Sequence, residues 1–436
     1  MKIYFIGIGG IGVSALAAYY LQKGAEVFGS DLESSETVET LKNAGAKIFI
    51  GNHSEKNLVE GVEKVIFSPA VTADNPELVK AKNASIQTQS YPEALGELTR
   101  HFFTIAVSGA HGKSTTTSMI GLTLIKAGLD PTVIVGTKLK EFGDTNFRMG
   151  KSKYLVIEAD EWQASFLNYW PKIIVLTNIE AEHLDFYRDL KHILKTFSEY
   201  VSHLPEDGVL VANGDDQNIS KLKTQIAKLQ LKTQNYSLKQ PEAEKIKKLL
   251  KIPGEHNVYN ALACLAVARE LKIFDNVFFE AIADYRGAWR RFEIKETTMG
   301  EKKITIISDY GHHPTEILAT LKAAREKYPG KKIWCVFQPH QYQRTFYLFD
   351  DFVKVFRKAP INKIIITDIF SVAGRETDEI KRKVNSEKLV EKIAKDSVVY
   401  MPKEKISSYL RDNLEDGQVL AIMGAGDIYQ LTYDLF

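Results

Sequence analysis

The stretch AVSGAHGKSTTT, residues 106–117, decides the fold of the middle of this chain. An apolar, strand-like run, FFTIAVSG, leads into it, and a helix-like segment follows. Gly109 and Gly112 allow a tight turn whose backbone N–H groups can face phosphate oxygens at the start of that helix. Lys113 then supplies a cation for the terminal phosphates, and the Ser114 hydroxyl can bind Mg²⁺. The pattern predicts a nucleoside triphosphate site, although it lacks the first glycine of the usual G-x-x-x-x-G-K-[ST] spacing; a plain glycine turn before a capped helix is the alternative.

A second glycine loop opens the chain as FIGIGGIGVSALA, residues 5–17. It matches G-x-G-G-x-G after a strand, and Asp31 closes the next strand, where an acidic residue usually meets a ribose hydroxyl. Taken alone, this fingerprint indicates NAD. A nucleoside diphosphate sugar would satisfy the same geometry, and a tight packing turn is the simplest alternative. Together, the loops predict that one holds a nucleotide-borne substrate and the other ATP.

Composition limits the class of protein. The 436 residues predict two to three domains, and 44% hydrophobic with 26% charged residues is typical of a globular protein. The net charge of +2 gives no overall field that would attract nucleic acid. Cys264 and Cys335 form neither a disulfide framework nor a metal-ligand spacing, so we expect a reducing, cytoplasmic setting. No apolar run reaches the roughly 18 residues of a membrane span.

Strand-like and helix-like segments alternate along the whole chain. This alternation predicts three α/β units in series, the first with a parallel sheet. The polar segment 236–254 is expected to be a surface helix or a connector.

A series of motifs makes the sequence resemble the Mur ligases, the ATP-dependent amide ligases of peptidoglycan precursor synthesis. In chain order they are IGGIGVSALA, SPAVTADNPE, EADEWQASFL, TNIEAEHLDFY, GEHNVYNA, WRRFE, DYGHHPTEI, FQPHQYQRT and GAGDIY. The resemblance covers essentially the whole chain. It implies a Rossmann-like domain for the UDP substrate at 1–100, a central P-loop domain for ATP at 101–288, and a Rossmann-like domain at 289–436 that closes over the site and receives the amino acid.

The resemblance also implies a reaction. ATP would phosphorylate the lactyl carboxylate of UDP-N-acetylmuramate, and the amine of L-alanine would displace phosphate from the acyl phosphate. Phosphoryl transfer needs mainly positioning and charge neutralisation, so we expect cations and Mg²⁺, or Mn²⁺ in its place, rather than a protein nucleophile. Because two nucleotides must meet, we expect the C-terminal domain to move.

Candidate metal ligands follow two strand-like runs. Glu158 comes directly after KYLVI, and His183 lies just beyond KIIVLTN. With Ser114 they offer oxygen and imidazole donors that can hold Mg²⁺, and the resemblance makes Glu158 and His183 the magnesium ligands. A structural histidine is the alternative for His183. Glu182 stands where the family commonly has Asp, and the sequence assigns no carbamylated lysine of the kind that some relatives place nearby.

The remaining site residues are assigned by position in the matched motifs. The expected ATP contacts are Gly109, Ala110, His111, Gly112, Lys113, Ser114, Thr115, Asn257, Asn260, Arg290, Arg291 and Asp309. The expected substrate contacts are Gly9, Gly10, Gly12, Ser30, Asp31, Ser68, Tyr310, His312, His340 and Arg344. The expected catalytic residues are Lys113, His183, His312 and Arg344.

Three of these assignments have alternatives. Asn257 could be a helix N-cap, and Asp309 could be a surface carboxylate. Adjacent arginines on a strand point to opposite faces, so one of Arg290 and Arg291 is expected to reach a phosphate.

The sequence departs from the family pattern at the expected amino-acid site. FQPHQYQRT corresponds to a segment that normally reads H-R-x-x-R, and Gln341 replaces the first arginine while His340 and Arg344 are retained. Losing one guanidinium removes a charge-assisted contact of about 1.5–3 kcal/mol. The segment 236–254 is also shorter than usual, so we expect a trimmed sheet with the site intact.

Other readings remain open beside the L-alanine ligase. A ligase that attaches a recycled murein tripeptide to the same nucleotide shares nearly all these motifs. A catalytically weak nucleotide-binding homologue would fit the departures at Gln341 and Glu182. If the chain were an NAD-dependent dehydrogenase, Lys113, Glu158 and His183 would have no role in its reaction.

Overall fold

The computed structural model describes residues 1–184, 186–372 and 376–435. The chain forms two compact units. The first contains Met1–Glu180, Leu190–Gln240 and Asn260–Ile282, and the second contains Ala181–Asp189, Pro241–Tyr259 and Ala283–Phe436. Asp185, in the motif TNIEAEHLDFY, lies outside the described residues.

The first sheet has five strands in the order β3-β2-β1-β4-β5, all parallel. The strands are β1 (Lys2–Ile6), β2 (Glu26–Asp31), β3 (Lys47–Ile50), β4 (Lys64–Phe67) and β5 (Gln87–Ser90). The helices are α1 (Ile11–Gln22), α2 (Glu36–Asn43), α3 (Pro76–Asn83) and α4 (Tyr91–Thr99). The chain leaves β1 in one direction and returns to β4 on its other side. The loops after β1 and β4 therefore flank the switch point where open α/β sheets bind ligands.

The second sheet has seven strands in the order β12-β11-β10-β6-β9-β7-β8, and only β8 runs antiparallel to its neighbour. The strands are β6 (Phe103–Ser108), β7 (Thr132–Leu139), β8 (Thr145–Arg148), β9 (Tyr154–Glu158), β10 (Ile173–Leu176), β11 (Val209–Asn213) and β12 (Lys232–Tyr236). The helices of the same unit are α5 (Lys113–Lys126), α6 (Leu190–Val201) and α7 (Gln217–Ile226). The central strand β6 thus has β10 on one side and β9 on the other.

The segment after β12 is helical. Its helices are α8 (Glu242–Leu249), α9 (Glu255–Glu270) and α10 (Asp275–Asp284). On α8 only Ala243 and Ile246 are buried, while most of its charged side chains are exposed. The expectation of a surface helix or a connector over 236–254 is therefore confirmed, with the helix at Glu242–Leu249.

The third sheet has six strands in the order β13-β14-β18-β15-β16-β17, and only β13 is antiparallel. The strands are β13 (Glu293–Met299), β14 (Lys302–Asp309), β15 (Ile333–Phe337), β16 (Lys363–Ile366), β17 (Val398–Tyr400) and β18 (Val419–Met423). The helices are α11 (Pro314–Lys327), α12 (Tyr342–Tyr347), α13 (Phe349–Lys358), α14 (Asp378–Lys383), α15 (Ser386–Ile393), α16 (Lys403–Asn413) and α17 (Leu431–Asp434). Cys335 and Phe337 pack in one core cluster and Val336 in another. Both faces of this sheet are covered, which explains its continuous apolar runs.

The expected α/β class is confirmed, and three sheets succeed one another along the chain; the first two lie in the first compact unit and the third in the second. The strands of each sheet lie inside the ranges 1–100, 101–288 and 289–436, although the domain limits themselves stay a prediction. Sequence reading missed seven strands, β3, β5, β7, β8, β12, β13 and β17. Most of these strands are short or carry polar or exposed residues, whereas β7 has eight residues and is mostly buried. No helix in the described part of the chain is both long enough and apolar enough to cross a membrane.

Candidate active site

The phosphate loop joins β6 to α5 and has the strand–turn–helix order that the sequence predicts. Gly109 has φ +128° and Gly112 has φ +83°, both in the left-handed region that favours glycine. A Cβ on Gly112 would overlap Oδ1 of Asn260, and a Cβ on Gly109 would overlap Oγ1 of Thr177. Only glycine fits at either position. The loop therefore presents its backbone at the N-terminus of a 14-residue helix, where anions bind favourably.

Two residues that follow β10 hold the loop in place. The Asn178 side chain accepts from N–H of His111 at 2.9 Å and donates to its carbonyl oxygen at 3.0 Å. The Thr177 hydroxyl donates to the same carbonyl at 2.6 Å. Sequence reading missed both residues. The available signal was a polar pair directly after a buried strand, at the edge where parallel strands collect functional groups.

Of the other residues predicted to contact ATP near the loop, Thr115 and Asn260 are buried and Ala110 is partly buried. The N–H of Ala110 donates to the Asn178 carbonyl at 3.2 Å, and Thr115 is buried on the first turn of α5. Asn260, on α9, accepts from the Thr116 hydroxyl at 3.2 Å and is also buried. The structure therefore brings Asn260 to the phosphate loop, while its predicted contact with adenine stays a prediction.

Lys113 lies across the loop. Its ammonium Nζ donates to the Gly109 carbonyl at 2.7 Å and to Glu161 Oε2 at 3.0 Å, and Asp160 Oδ1 lies at 3.8 Å. The Glu161 side chain is 5% exposed, so its charge needs a partner of this kind. Sequence reading missed Glu161. An ammonium at the mouth of a phosphate loop is placed to contact terminal phosphates.

Ser114 and Glu158 form the oxygen-rich part of the predicted metal site. The Ser114 hydroxyl donates to Glu158 Oε2 at 3.1 Å, and the N–H of Gly136 donates to Oε1 at 2.5 Å. A hydroxyl beside a carboxylate suits Mg²⁺, which prefers hard oxygen donors. His183 belongs to the second compact unit, and its φ of +54° is uncommon for a residue other than glycine. The assignment of His183 as a metal ligand stays a prediction.

A pocket of about 560 Å³ lies at the switch point of the first sheet. Of the residues predicted to bind the substrate, it is lined by Gly9, Gly10, Asp31 and Ser68. Gly12 packs elsewhere, because a Cβ there would meet the Tyr91 ring at 2.6 Å. The pocket is large enough for a nucleotide-sized ligand.

Asp31 and Ser30 play different parts beside this pocket. Asp31 Oδ2 accepts from the N–H of Gly9 at 2.7 Å and thereby fixes the glycine loop. Ser30 is buried; its hydroxyl donates to Glu77 Oε2 at 2.5 Å and lies 3.2 Å from Nδ1 of His53. His53 lines the pocket, and sequence reading missed it. Ser30 therefore supports the wall of the pocket rather than lining it.

Asp309 ends β14 and is buried, so the alternative of a surface carboxylate is wrong. It accepts from the N–H groups of Phe292 and Gly311 at 2.8 and 2.9 Å and from the Thr320 hydroxyl at 3.1 Å. Burial raises the pKa of Asp309. These bonds tie the start of β13 to the loop after β14, and a contact with ribose stays a prediction.

Arg290 and Arg291 precede β13, so the expectation that they lie on a strand is wrong; Arg290 has φ +55°. The Arg290 guanidinium is buried, 4.4 Å from the Tyr429 ring centre, and donates to the carbonyl of Gly424. Burial lowers its pKa. Arg291 is partly exposed, with Nη1 4.0 Å from Glu316 Oε1. The structure thus gives Arg290 a packing role, and phosphate contacts of either arginine stay predictions.

Asn257 lies in the first turn of α9. Its side-chain Nδ2 donates to the carbonyl of Pro253 at 2.7 Å. The helix begins two residues earlier, at Glu255, so the alternative of an N-cap is wrong.

The second unit gathers the residues predicted to bind the amino acid. Arg344 Nη2 donates to Glu182 Oε1 at 3.0 Å, and Nη1 donates to the His340 carbonyl at 3.3 Å. His312 Nε2 lies 3.7 Å from the same Glu182 oxygen, and the His312 and His340 ring centres are 5.9 Å apart. The Tyr310 ring lies edge-on to His312 at 5.5 Å. The structure therefore brings these predicted residues together around Glu182.

A small cleft adjoins this cluster. Its lining includes Glu182, His183, Gln341, Arg344 and Tyr347. Gln341 has φ +71°, and its N–H donates to the carbonyl of Phe370 at 2.9 Å. The cleft combines a guanidinium with a carboxylate, which is the donor and acceptor pair that an amino acid requires.

Family models match the chain in three consecutive parts. They are the Mur ligase family catalytic domain at residues 2–103, the Mur ligase middle domain at 107–268, and the Mur ligase glutamate ligase domain at 290–426. The three matched parts correspond to the three sheets described above, although β6 (Phe103–Ser108) begins before the second match.

Curated relatives match over nearly full length. The UDP-N-acetylmuramate--L-alanine ligase of Persephonella marina is 42% identical over 99% of this chain and 95% of the relative. The protein of the same name from a Sulfurihydrogenibium strain is 41% identical over 99% of this chain and 96% of the relative.

Solved structures share the fold. The UDP-N-acetylmuramate-alanine ligase of Thermotoga maritima has a TM-score of 0.81 at 26% identity, covering 100% of this chain and 98% of that one. A murein peptide ligase of Psychrobacter arcticus has a TM-score of 0.73 at 21% identity, with the same coverage of both chains. At this identity the match shows a shared fold alone.

Proposed function

Because the chain belongs to the Mur ligase family, we propose that it joins L-alanine to the lactyl carboxylate of UDP-N-acetylmuramate and converts ATP to ADP and phosphate. It is a ligase of peptidoglycan precursor synthesis. The observation that carries the choice of substrates is the 42% identity over 99% of the chain to a relative named for this reaction.

The pocket at the first sheet is the proposed site for the UDP substrate. Its volume of about 560 Å³ suits a nucleotide-sized ligand. The Asp31 carboxylate fixes the N–H of Gly9, and the glycine loop places its backbone at the N-terminus of α1, where a diphosphate binds favourably. Ser68, which follows β4, also lines the pocket, so residues that follow both β1 and β4 would contact the ligand.

The phosphate loop is the proposed site for ATP. The loop backbone at Gly109 and Gly112 would cradle the phosphates, and the Lys113 ammonium would neutralise charge on the terminal ones. The Ser114 hydroxyl and the Glu158 carboxylate, whose oxygens lie 3.1 Å apart, would hold Mg²⁺. When bound, the ion would offset the negative charge of the phosphate oxygens.

The reaction proceeds in two steps that need no protein nucleophile. The lactyl carboxylate oxygen attacks the γ-phosphorus of ATP, ADP leaves, and an acyl phosphate forms. The amine of L-alanine then attacks the acyl carbon, the C–O bond to phosphate breaks, and inorganic phosphate leaves with one oxygen from the original carboxylate. In this scheme Lys113 stabilises charge in the first step, while Arg344 and His312 hold the amino acid for the second.

Oxygen labelling tests the chemistry. With ¹⁸O in the lactyl carboxylate, the released phosphate should carry one labelled oxygen for each amide formed. Phosphate without label would refute the acyl phosphate, and phosphate release without UDP-N-acetylmuramate or an amino acid would refute the ligase.

An acceptor comparison tests the substrate. L-Alanine, glycine, L-serine and the murein tripeptide are compared at saturating ATP and UDP-N-acetylmuramate. We expect L-alanine to have the highest kcat/KM. A higher kcat/KM for the tripeptide would instead assign the murein recycling reaction.

A further inference from the structure

Glu182 contacts two of the residues assigned to the amino-acid site. Its Oε1 accepts from Arg344 Nη2 at 3.0 Å and lies 3.7 Å from His312 Nε2. The Arg344 and Glu182 side chains are 9% and 7% exposed. One carboxylate oxygen therefore lies between the guanidinium and the imidazole, in surroundings that largely exclude water.

This contact determines how Arg344 is oriented. A guanidinium is planar, so fixing Nη1 and Nη2 fixes all five of its N–H directions. The His340 carbonyl accepts from Nη1 at 3.3 Å and Glu182 accepts from Nη2, so both terminal nitrogens are anchored. Within the described ranges, Arg344 Nε has no hydrogen-bond acceptor. A donor thus remains for a ligand in the cleft that Arg344 lines.

The carboxylate also balances charge in the cleft. Without Glu182, the buried guanidinium would lose its ion-pair partner and would be free to adopt other rotamers. An arginine side chain that can change rotamer binds a carboxylate less tightly, because it must lose conformational entropy on binding.

We propose that Glu182 is a positioning residue: it fixes Arg344 in the orientation that receives the carboxylate of the amino-acid acceptor. The inference rests on the proposed function, because the acceptor enters the same cleft. It assigns Glu182 an effect on amino-acid recognition and none on the binding of ATP or of the UDP substrate.

The test is Glu182→Gln, which keeps the size of the side chain and removes its charge. We expect the KM for L-alanine to rise by about 10-fold or more, the range of a lost hydrogen bond to a charged group. The KM for ATP and for UDP-N-acetylmuramate should stay within about 2-fold of wild type. A purely structural role would move all three constants together with the melting temperature.

A double-mutant cycle tests whether Glu182 acts through Arg344. In an Arg344→Ala background, Glu182→Gln should add little to the KM for L-alanine, because the group it positions is already gone. An equal effect in both backgrounds, or an unchanged KM in the single variant, would overturn the proposal. If Glu182→Gln does not fold, Arg344→Lys serves instead: it keeps the charge but lacks the planar fork, so the KM for L-alanine should again rise, and an unchanged value would overturn the proposal.

Glu379→Gln is the matched control. Glu379 forms an exposed ion pair with Lys383 at 2.5 Å in the same unit, and its loss should leave every KM unchanged.

The activity of the wild-type protein separates this inference from the proposed function. If wild type makes no amide, the proposed function fails; if wild type is active and Glu182→Gln matches it, only the role of Glu182 fails.

Discussion

Replacing Lys113 with methionine removes the ammonium group between the phosphate loop and Glu161, and we expect losses of both stability and activity. The Lys113 side chain is 16% exposed, the Glu161 side chain is 5% exposed, and Nζ lies 3.0 Å from Oε2. Removing one partner of a buried ion pair typically costs about 3–5 kcal/mol, because the other charge stays buried. Since Lys113 keeps some contact with water, we expect about 3 kcal/mol, the lower end of that range.

The double variant Lys113→Met/Glu161→Gln separates the two effects. It removes both charges, so most of the lost stability should return. Activity should stay lost, because methionine offers no charge to the terminal phosphates.

Urea unfolding followed by tryptophan fluorescence measures the stability, and phosphate release in the presence of all three substrates measures the activity. The control is Lys126→Met on the same helix, whose ion pair with Glu280 at 3.7 Å is exposed and should contribute less than about 1 kcal/mol. If Lys113→Met unfolds at the wild-type urea concentration, the buried pair is not stabilising. If it still forms the amide at the wild-type rate, the assignment of the ATP site is wrong.

Three further predictions concern the glycine loops and the thiols. Gly112→Ala should weaken ATP binding by about 10-fold or more in a calorimetric titration. The control is Gly24→Ala, because Gly24 has a matching φ of +82° and nothing lies within 4 Å of the added Cβ. This control should lose only about 1–2 kcal/mol of stability and should leave the Kd for ATP unchanged. Asp31→Asn weakens the bond to the glycine loop and should raise the KM for UDP-N-acetylmuramate by about 10-fold without changing the KM for ATP; equal changes in both would contradict the assignment of the first pocket. Burial raises the pKa of Cys264 to about 12 and also raises that of Cys335, so at pH 8 iodoacetamide should label neither thiol in the folded protein and both after unfolding in urea, as mass spectrometry can show.

The phosphate loop shows which features the local sequence predicts and which it does not. Gly109 and Gly112 predict the turn because their positive φ values are set by a few adjacent residues. The partners of the loop were not predictable in the same way: Thr177 and Asn178 lie 66 and 67 residues away from the His111 carbonyl that they bind.

Arg290 shows where a positional assignment was incomplete. The WRRFE motif predicts a phosphate contact there, which stays a prediction. The structure adds that the Arg290 guanidinium is buried against Tyr429 and donates to the carbonyl of Gly424. That contact joins residues 134 positions apart in sequence. No pattern within the motif itself distinguishes a buried arginine from one that binds a ligand.

By itself, the sequence determined the three α/β units, both glycine loops and the family, because strand periodicity, backbone conformation and motif order are encoded within short windows. The tertiary structure alone decided which side chains meet. Strand order places β10 and β9 on either side of β6, so that Thr177 and Asn178 reach the phosphate loop from one side and Glu158 and Glu161 from the other. The physical reason is that a hydrogen bond or an ion pair depends on distance in space, which is set when the sheets assemble and not by separation along the chain.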